Sequence, residues 1–126
     1  MVRTIGAVLA GFVGWIVVGS VLNRVMRAVL DGYAAAEPVY HFTPTMLGAR
    51  LATATVAQLA AGALAARIAP DSPRAPLFTG LALLALFVPV HLHIWEHFPL
   101  WYHAAFLLTL APLVVLGGRL ARHRPA

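Results

Sequence analysis

The stretch TIGAVLAGFVGWIVVGSVL, residues 4 to 22, runs for nineteen residues without a charge. Wound as an α-helix it is about 28 Å long, close to the hydrocarbon thickness of a bilayer. Arg3 precedes it, and Asn23, Arg24 and Arg27 follow it towards Asp31 and Gly32, a pair suited to ending a helix. Arg3, the apolar run and Ala34-Ala35-Ala36 before Glu37 also imitate a signal peptide. The run exceeds the usual apolar core of such a peptide, however, and a spacer with two arginines separates it from the small residues. It therefore reads as a membrane span.

Three more spans follow. Thr43-Pro44 supplies an N-cap and a proline at the first helical position, and the helix runs to Ile68, short of Pro70. The segment APDSPRAP, residues 69 to 76, is a proline-rich turn. A third apolar run extends from Pro76 and a fourth from Pro99, with Pro89 and Pro112 inside them as membrane helices tolerate. The chain is thus an all-α polytopic membrane protein: one domain over residues 1–126, a four-transmembrane-helix bundle with spans near 4–30, 44–68, 76–97 and 99–120.

Composition agrees. The chain is 61% hydrophobic and 10% charged, and its mean hydropathy is +0.84. That leaves too little polar material to cover a water-facing surface. Without cysteine there is no disulfide framework, thiolate metal site or cysteine nucleophile. The net charge of +5 comes from scattered arginines with no basic stripe, so nucleic acid is not a partner. Arg3, Arg67, Arg74, Arg119, Arg122 and Arg124 fall on the side of the termini. Arg24 and Arg27 on the other side are opposed by Asp31, Glu37 and Glu96. The positive-inside rule then puts both termini in the cytoplasm and residues 91–103 at the periplasmic or exterior face.

Small residues recur at helical spacing: Gly6, Ala10 and Gly14 on the first span, and Ala49, Thr53, Ala57, Ala61 and Ala65 on the second. Such faces let helices approach closely, so these two spans should pack together, and similar faces could build a homo-oligomer or a larger membrane complex.

The segment HLHIWEHFPLWYH, residues 91 to 103, joins the last two spans through a tight hairpin. Phe98, preceding Pro99, is pushed out of helical dihedrals. Trp95, Phe98, Trp101 and Tyr102, with Tyr33, Tyr40 and Phe42 from the first loop, suit the headgroup layer. His91 and His103 lie about one turn deeper, and Arg50 lies roughly 9 Å inside the second span on the same side. An arginine at that depth needs water or a partner, and Glu96 and Glu37 are the carboxylates within reach. Arg50, His91, Glu96, His103 and Glu37 therefore form the candidate polar cluster, able to relay or sense protons.

His93 and His97 have i, i+4 spacing, and pooling them with His41, His91 and His103 gives imidazoles suited to zinc or copper. No cofactor is firmly implied. HIWEH also matches the H-x-x-E-H pattern of inverted-zincin peptidases, but those need a further downstream glutamate and this chain has no acidic residue after Glu96. Ser20 and Ser72 lack a nucleophile motif, and there is no phosphate-binding glycine loop.

At WEHFPLWYH followed by FLLTLAPLVVLGGRL, the chain resembles small bacterial membrane proteins that carry a W-(D/E)-x-F-P-x-W-Y-H segment before a final span. That resemblance, over the last third of the chain, implies four spans in a bacterial membrane and brings no activity. The reading preferred from sequence is an interaction or accessory protein, with no enzymatic activity implied. The alternative is a transporter or enzyme with a periplasm-facing His/Glu/Arg site for metal or protons. Convergence of His91, His103, Arg50 and Glu96 on one cavity would favour the second.

Overall fold

The computed structural model describes residues 1–123 and is helical throughout its long elements. Arg124, counted above towards the charged end, lies outside the described residues. The helices are α1 (Val2–Val29), α2 (Tyr33–Ala36), α3 (Pro44–Ile68), α4 (Ala75–His93) and α5 (Leu100–His123), with short 3-10 turns at Glu37–Val39 and Trp95–His97. Four of them, α1, α3, α4 and α5, are long and apolar enough to cross a membrane.

Local chemistry sets the boundaries. The Thr43 side chain accepts the Met46 N–H at 3.2 Å and Pro44 occupies the first helical position, so α3 starts where the cap and the proline dictate. After α1 the chain reverses through Gly32 at φ 80°, a left-handed conformation that costs glycine little. The third span is shorter than its apolar run suggests. Phe98, extended at φ −132° and ψ 151° before Pro99, stops helical propagation, and residues 95–97 tighten into a separate turn after His93.

Around the bundle the order is α1, α3, α5, α4, with α3 and α4 also touching across the middle. Consecutive spans run up and down, so α3 lies antiparallel to α1 but parallel to α5. Backbone proximity decides the tightest contacts. A methyl group at Gly62 would overlap the Val114 carbonyl, and one at Gly117 would overlap the Leu59 carbonyl. Only hydrogen at these positions lets α3 and α5 come together.

Against α1, the expected small face of α3 is in place: Ala57, Ala61 and Ala65 are fully buried inside the bundle, with Ala49 and Thr53 half-buried. The matching face of α1 is shifted. Gly6 is exposed with open space around it and Ala10 is half-buried. Ala7 and Gly11 are buried instead, and a Cβ on Gly11 would lie 2.9 Å from the Ala61 carbonyl oxygen. Gly14, where a Cβ would meet the Leu64 side chain, stays in the contact. Glycine and alanine crowd one broad sector of this helix, and the alternatives differ by one residue, or about 100° of rotation. The Thr79 side chain of α4, which also packs on Gly11, selects among them.

The two ends of the bundle differ in chemistry. At the end carrying the termini, the Arg3 guanidinium donates to the Ile68 carbonyl at 2.9 Å and that of Arg122 to the Ser72 carbonyl at 2.7 Å, tying the terminal helices to the 69–74 turn. At the opposite end aromatic rings close the bundle. Phe42 stacks on Phe98 (5.6 Å between centroids) and Phe98 on Tyr102 (4.7 Å). Phe98 and Tyr102 are buried rather than displayed at the rim; Trp95 and Trp101 are the exposed rings of the hairpin.

Candidate functional site

Below the aromatic closure, the Trp15 ring of α1 meets the Phe87 ring of α4 at 4.7 Å, and Phe87 meets Phe106 of α5 at 5.0 Å. Between this floor and the aromatic cap lies a cavity of about 330 Å³. Its lining is apolar on the floor, with Trp15, Phe87 and Phe106, and polar towards the cap, with Asn23, Arg50, His91 and Tyr102. Ile16, Ser20 and Val90 are its exposed lining residues, and they belong to α1 and α4, so the opening lies between those two helices.

Arg50 reaches this cavity from α3 because it is one turn and a half inside a helix whose neighbours carry aromatic residues at the same level. Its Nη1 donates to the Tyr33 hydroxyl at 2.7 Å and its Nε to the Tyr102 hydroxyl at 3.1 Å. The guanidinium carbon lies 4.7 Å from the Phe42 ring centroid and 5.6 Å from that of Phe98. Ring faces attract a cation, yet they and the phenols are neutral.

The expected carboxylate partners go elsewhere. Glu37 is bound by Arg27 Nε at 3.0 Å and by Asn23 Nδ2 at 3.2 Å. Its influence reaches Arg50 only through a chain of hydrogen bonds, since the Tyr33 hydroxyl donates to Asn23 Oδ1 at 3.0 Å. Glu96 is exposed on the hairpin turn. The Tyr33 phenol is pushed above its usual range by burial, which outweighs the lowering by Arg50 and is reinforced by Glu37 and Tyr102.

His91 and His103 are both buried, at 3% and 0% exposure. Their Nδ1 atoms are 2.7 Å apart, and Nε2 of His103 lies 3.0 Å from the Trp95 carbonyl oxygen. A carbonyl only accepts, so His103 Nε2 carries a proton. With neither ring charged, His103 Nδ1 is then the acceptor and His91 Nδ1 the donor. This leaves His91 Nε2 as a bare lone pair on a ring that lines the cavity. The Trp95 indole lies parallel to the His103 ring at 4.4 Å, so one residue holds that imidazole by its carbonyl and covers it with its side chain.

Of the sequence-derived candidates, Arg50, His91 and His103 come together. Glu37 joins through Asn23 and Tyr33, whereas Glu96 stays apart. The five-histidine set does not assemble: His41, His93 and His97 are exposed, with His97 stacked on Tyr40 at 4.3 Å. Among the described residues, no three His, Asp or Glu side chains gather as metal ligands would. Tyr33, Tyr102, Asn23 and the Trp95 carbonyl were not expected as partners. Tyr102, next to His103 and roughly level with Arg50, gave a faint signal; Tyr33, in a loop of unknown path, gave none.

No protein-family model, curated protein or solved structure matches the chain.

Proposed function

We propose that the protein is a multi-pass component of a bacterial inner membrane, with both termini cytoplasmic, and that its outer-side cavity is a proton-handling binding site of the kind found in small transporters or membrane enzymes. The observation that carries this reading is that Arg50 and His91 line one cavity, with His103 joined to it through His91 and without Glu96. Four apolar helices and the arginine distribution support the membrane placement, and the resemblance of residues 95–103 to bacterial four-span proteins supports the host membrane.

The chemistry follows from the hydrogen-bond directions. A proton delivered from the cavity to His91 Nε2 releases the Nδ1 proton of the same ring to His103 Nδ1, across 2.7 Å. Positive charge then rests on His103, which donates to the Trp95 carbonyl and lies against the Trp95 indole. The pair thereby moves a charge from the cavity wall to the hairpin without moving a heavy atom. Arg50 supplies fixed positive potential at the same wall.

An accessory or oligomer-forming role is the second reading. It is weakened because the small residues of α3 that an oligomer would use are enclosed by α1 and α5 of the same chain.

Nitrogen-15 spectra of histidine-labelled protein in lipid nanodiscs test the first reading. One downfield-shifted proton shared by the His91 and His103 Nδ1 atoms is expected, disappearing in His103→Gln. Two independent solvent-exchanging imidazoles would overturn it.

A further inference from the structure

The cavity wall has an unusual balance of hydrogen-bonding groups. Arg50 brings a full positive charge, and its two bonded partners are phenols that leave part of the donor fork unused. Tyr102 accepts from Arg50, while its own hydroxyl proton has no acceptor among the described residues, and it lines the same space. The same lining carries an acceptor, Nε2 of His91, left without a hydrogen by the bonds of the histidine pair. A head that accepts from two neighbouring donors, gives up a proton of its own and is left as an anion beside Arg50 complements all three. A carboxylic acid has that combination: one oxygen for Arg50 and Tyr102, one O–H for His91.

The rest of the cavity indicates the remainder of the molecule. Phe87, Phe106 and the Trp15 ring give a mainly apolar floor, with the Trp15 Nε1–H as a buried donor that has no partner among the described residues, and the opening passes Ile16 and Val90, which face outward from α1 and α4. At about 330 Å³ the volume is near the lower end of the roughly 300–1,000 Å³ typical of small-ligand sites. It holds a head and the start of one chain, with the remaining chain leaving sideways into the bilayer.

Resting on the proton-handling reading above, we propose that the cavity binds a single-chain fatty acid, its carboxyl between Arg50 and His91 and its alkyl chain passing between α1 and α4. On binding, the acid O–H bond breaks as an Nε2–H bond forms on His91. The His91 Nδ1 proton passes to His103, so the site ends with a carboxylate on Arg50 and a positive charge on His103. No oxidant or second reactant is involved. The titratable and charged groups facing His91 are His103 and Tyr102 from α5 and Arg50 from α3. From α1, Ser20 and Asn23 are polar side chains at the cavity, and neither carries a charge.

Photo-crosslinking in phosphatidylcholine nanodiscs tests the assignment. A hexadecanoic acid probe with a diazirine near its carboxyl should label residues around Ile16, Ser20 and Val90. Excess hexadecanoic acid should suppress that labelling, and hexadecanol should not. Arg50→Gln should lower it at least about tenfold, as expected for loss of a charge-assisted pair. Val90→Trp, a change on an exposed position that obstructs the opening without touching the polar wall, should abolish it in a protein that folds normally.

Labelling spread evenly along exposed α1 positions such as Leu9 and Val21, or equal competition by hexadecanol, would overturn the proposal. So would preferential capture of a hexadecyl phosphate probe, which would assign the charged wall to a phosphate head. The histidine spectra separate the two levels. A shared His91–His103 proton with no acid-specific labelling refutes the ligand alone, whereas loss of the shared proton refutes the underlying reading.

Discussion

Tyr33 illustrates how much one phenol holds together. It is fully buried, accepts from Arg50 and donates to Asn23, so replacing it breaks the bridge between the cavity wall and the loop network. Tyr33→Phe should cost about 1–3 kcal/mol, because a buried arginine donor and an amide oxygen both lose their partner; thermal unfolding in detergent measures it. The same phenol confers a pH dependence. Its folded pKa is raised above the free value of about 10, so its contribution is fully present below that pH and is lost as pH rises through the folded value. Melting temperature should therefore fall above about pH 10, with a smaller fall in Tyr33→Phe. Burial is the main cause of the shift; of the charged or titratable neighbours, Arg50 opposes it and Glu37 and Tyr102 add to it. The sequence made Arg50, His91 and His103 visible because ionisable residues stand out inside apolar runs. It could not show that phenols rather than carboxylates hold Arg50. That outcome depends on a four-residue helix, α2, folding Tyr33 back under the cap after the Gly32 reversal, and no periodic pattern encodes such a path.

At the scale of helices, the close approach of α3 and α5 is more demanding than any single polar contact. Gly62→Ala puts a methyl group into the Val114 carbonyl, backbone against backbone, where no side chain can move aside. Separation of the helices should cost about 1–3 kcal/mol or more, whereas Gly6→Ala, in open space, should leave stability within about 0.5 kcal/mol. Paired unfolding curves in the same detergent compare them. The contrast also explains what was readable in advance. Spacing identified small residues on both α1 and α3, and on α3, where large side chains outside the alanine stripe fix the phase, the buried positions agreed. On α1 several phases were equally supplied with glycine and alanine, and the partner surface of Thr79 and Ala61 chose a different one. Gly117-Gly118 drew no notice in the sequence, because a glycine pair near a helix end reads as a terminator until a neighbouring helix is seen against it.

For the whole molecule, the number of spans follows from apolar length and composition, since those quantities are local. The order of helices around the bundle is not local. It places α3 beside α5, so two parallel helices from opposite halves of the chain form the tightest seam. Membrane orientation can be tested at this scale: reporter fusions at either terminus should be active only in the cytoplasm, and a cysteine introduced at Asp31 should react with an impermeant maleimide added outside. Labelling from inside would reverse the assignment and move the cavity to the cytoplasmic face.

The enclosure of α3 also bears on how the protein is made. This helix is the least apolar of the four long ones and the most buried, and its closest neighbour, α5, is the last to be synthesised. As it leaves the ribosome, α3 has only α1 to shelter it. Until residues 100–123 have been made, the flank of α3 that bears Gly62 has no α5 to pack on it, so the tightest seam of the bundle is also the last of its long-helix contacts to form.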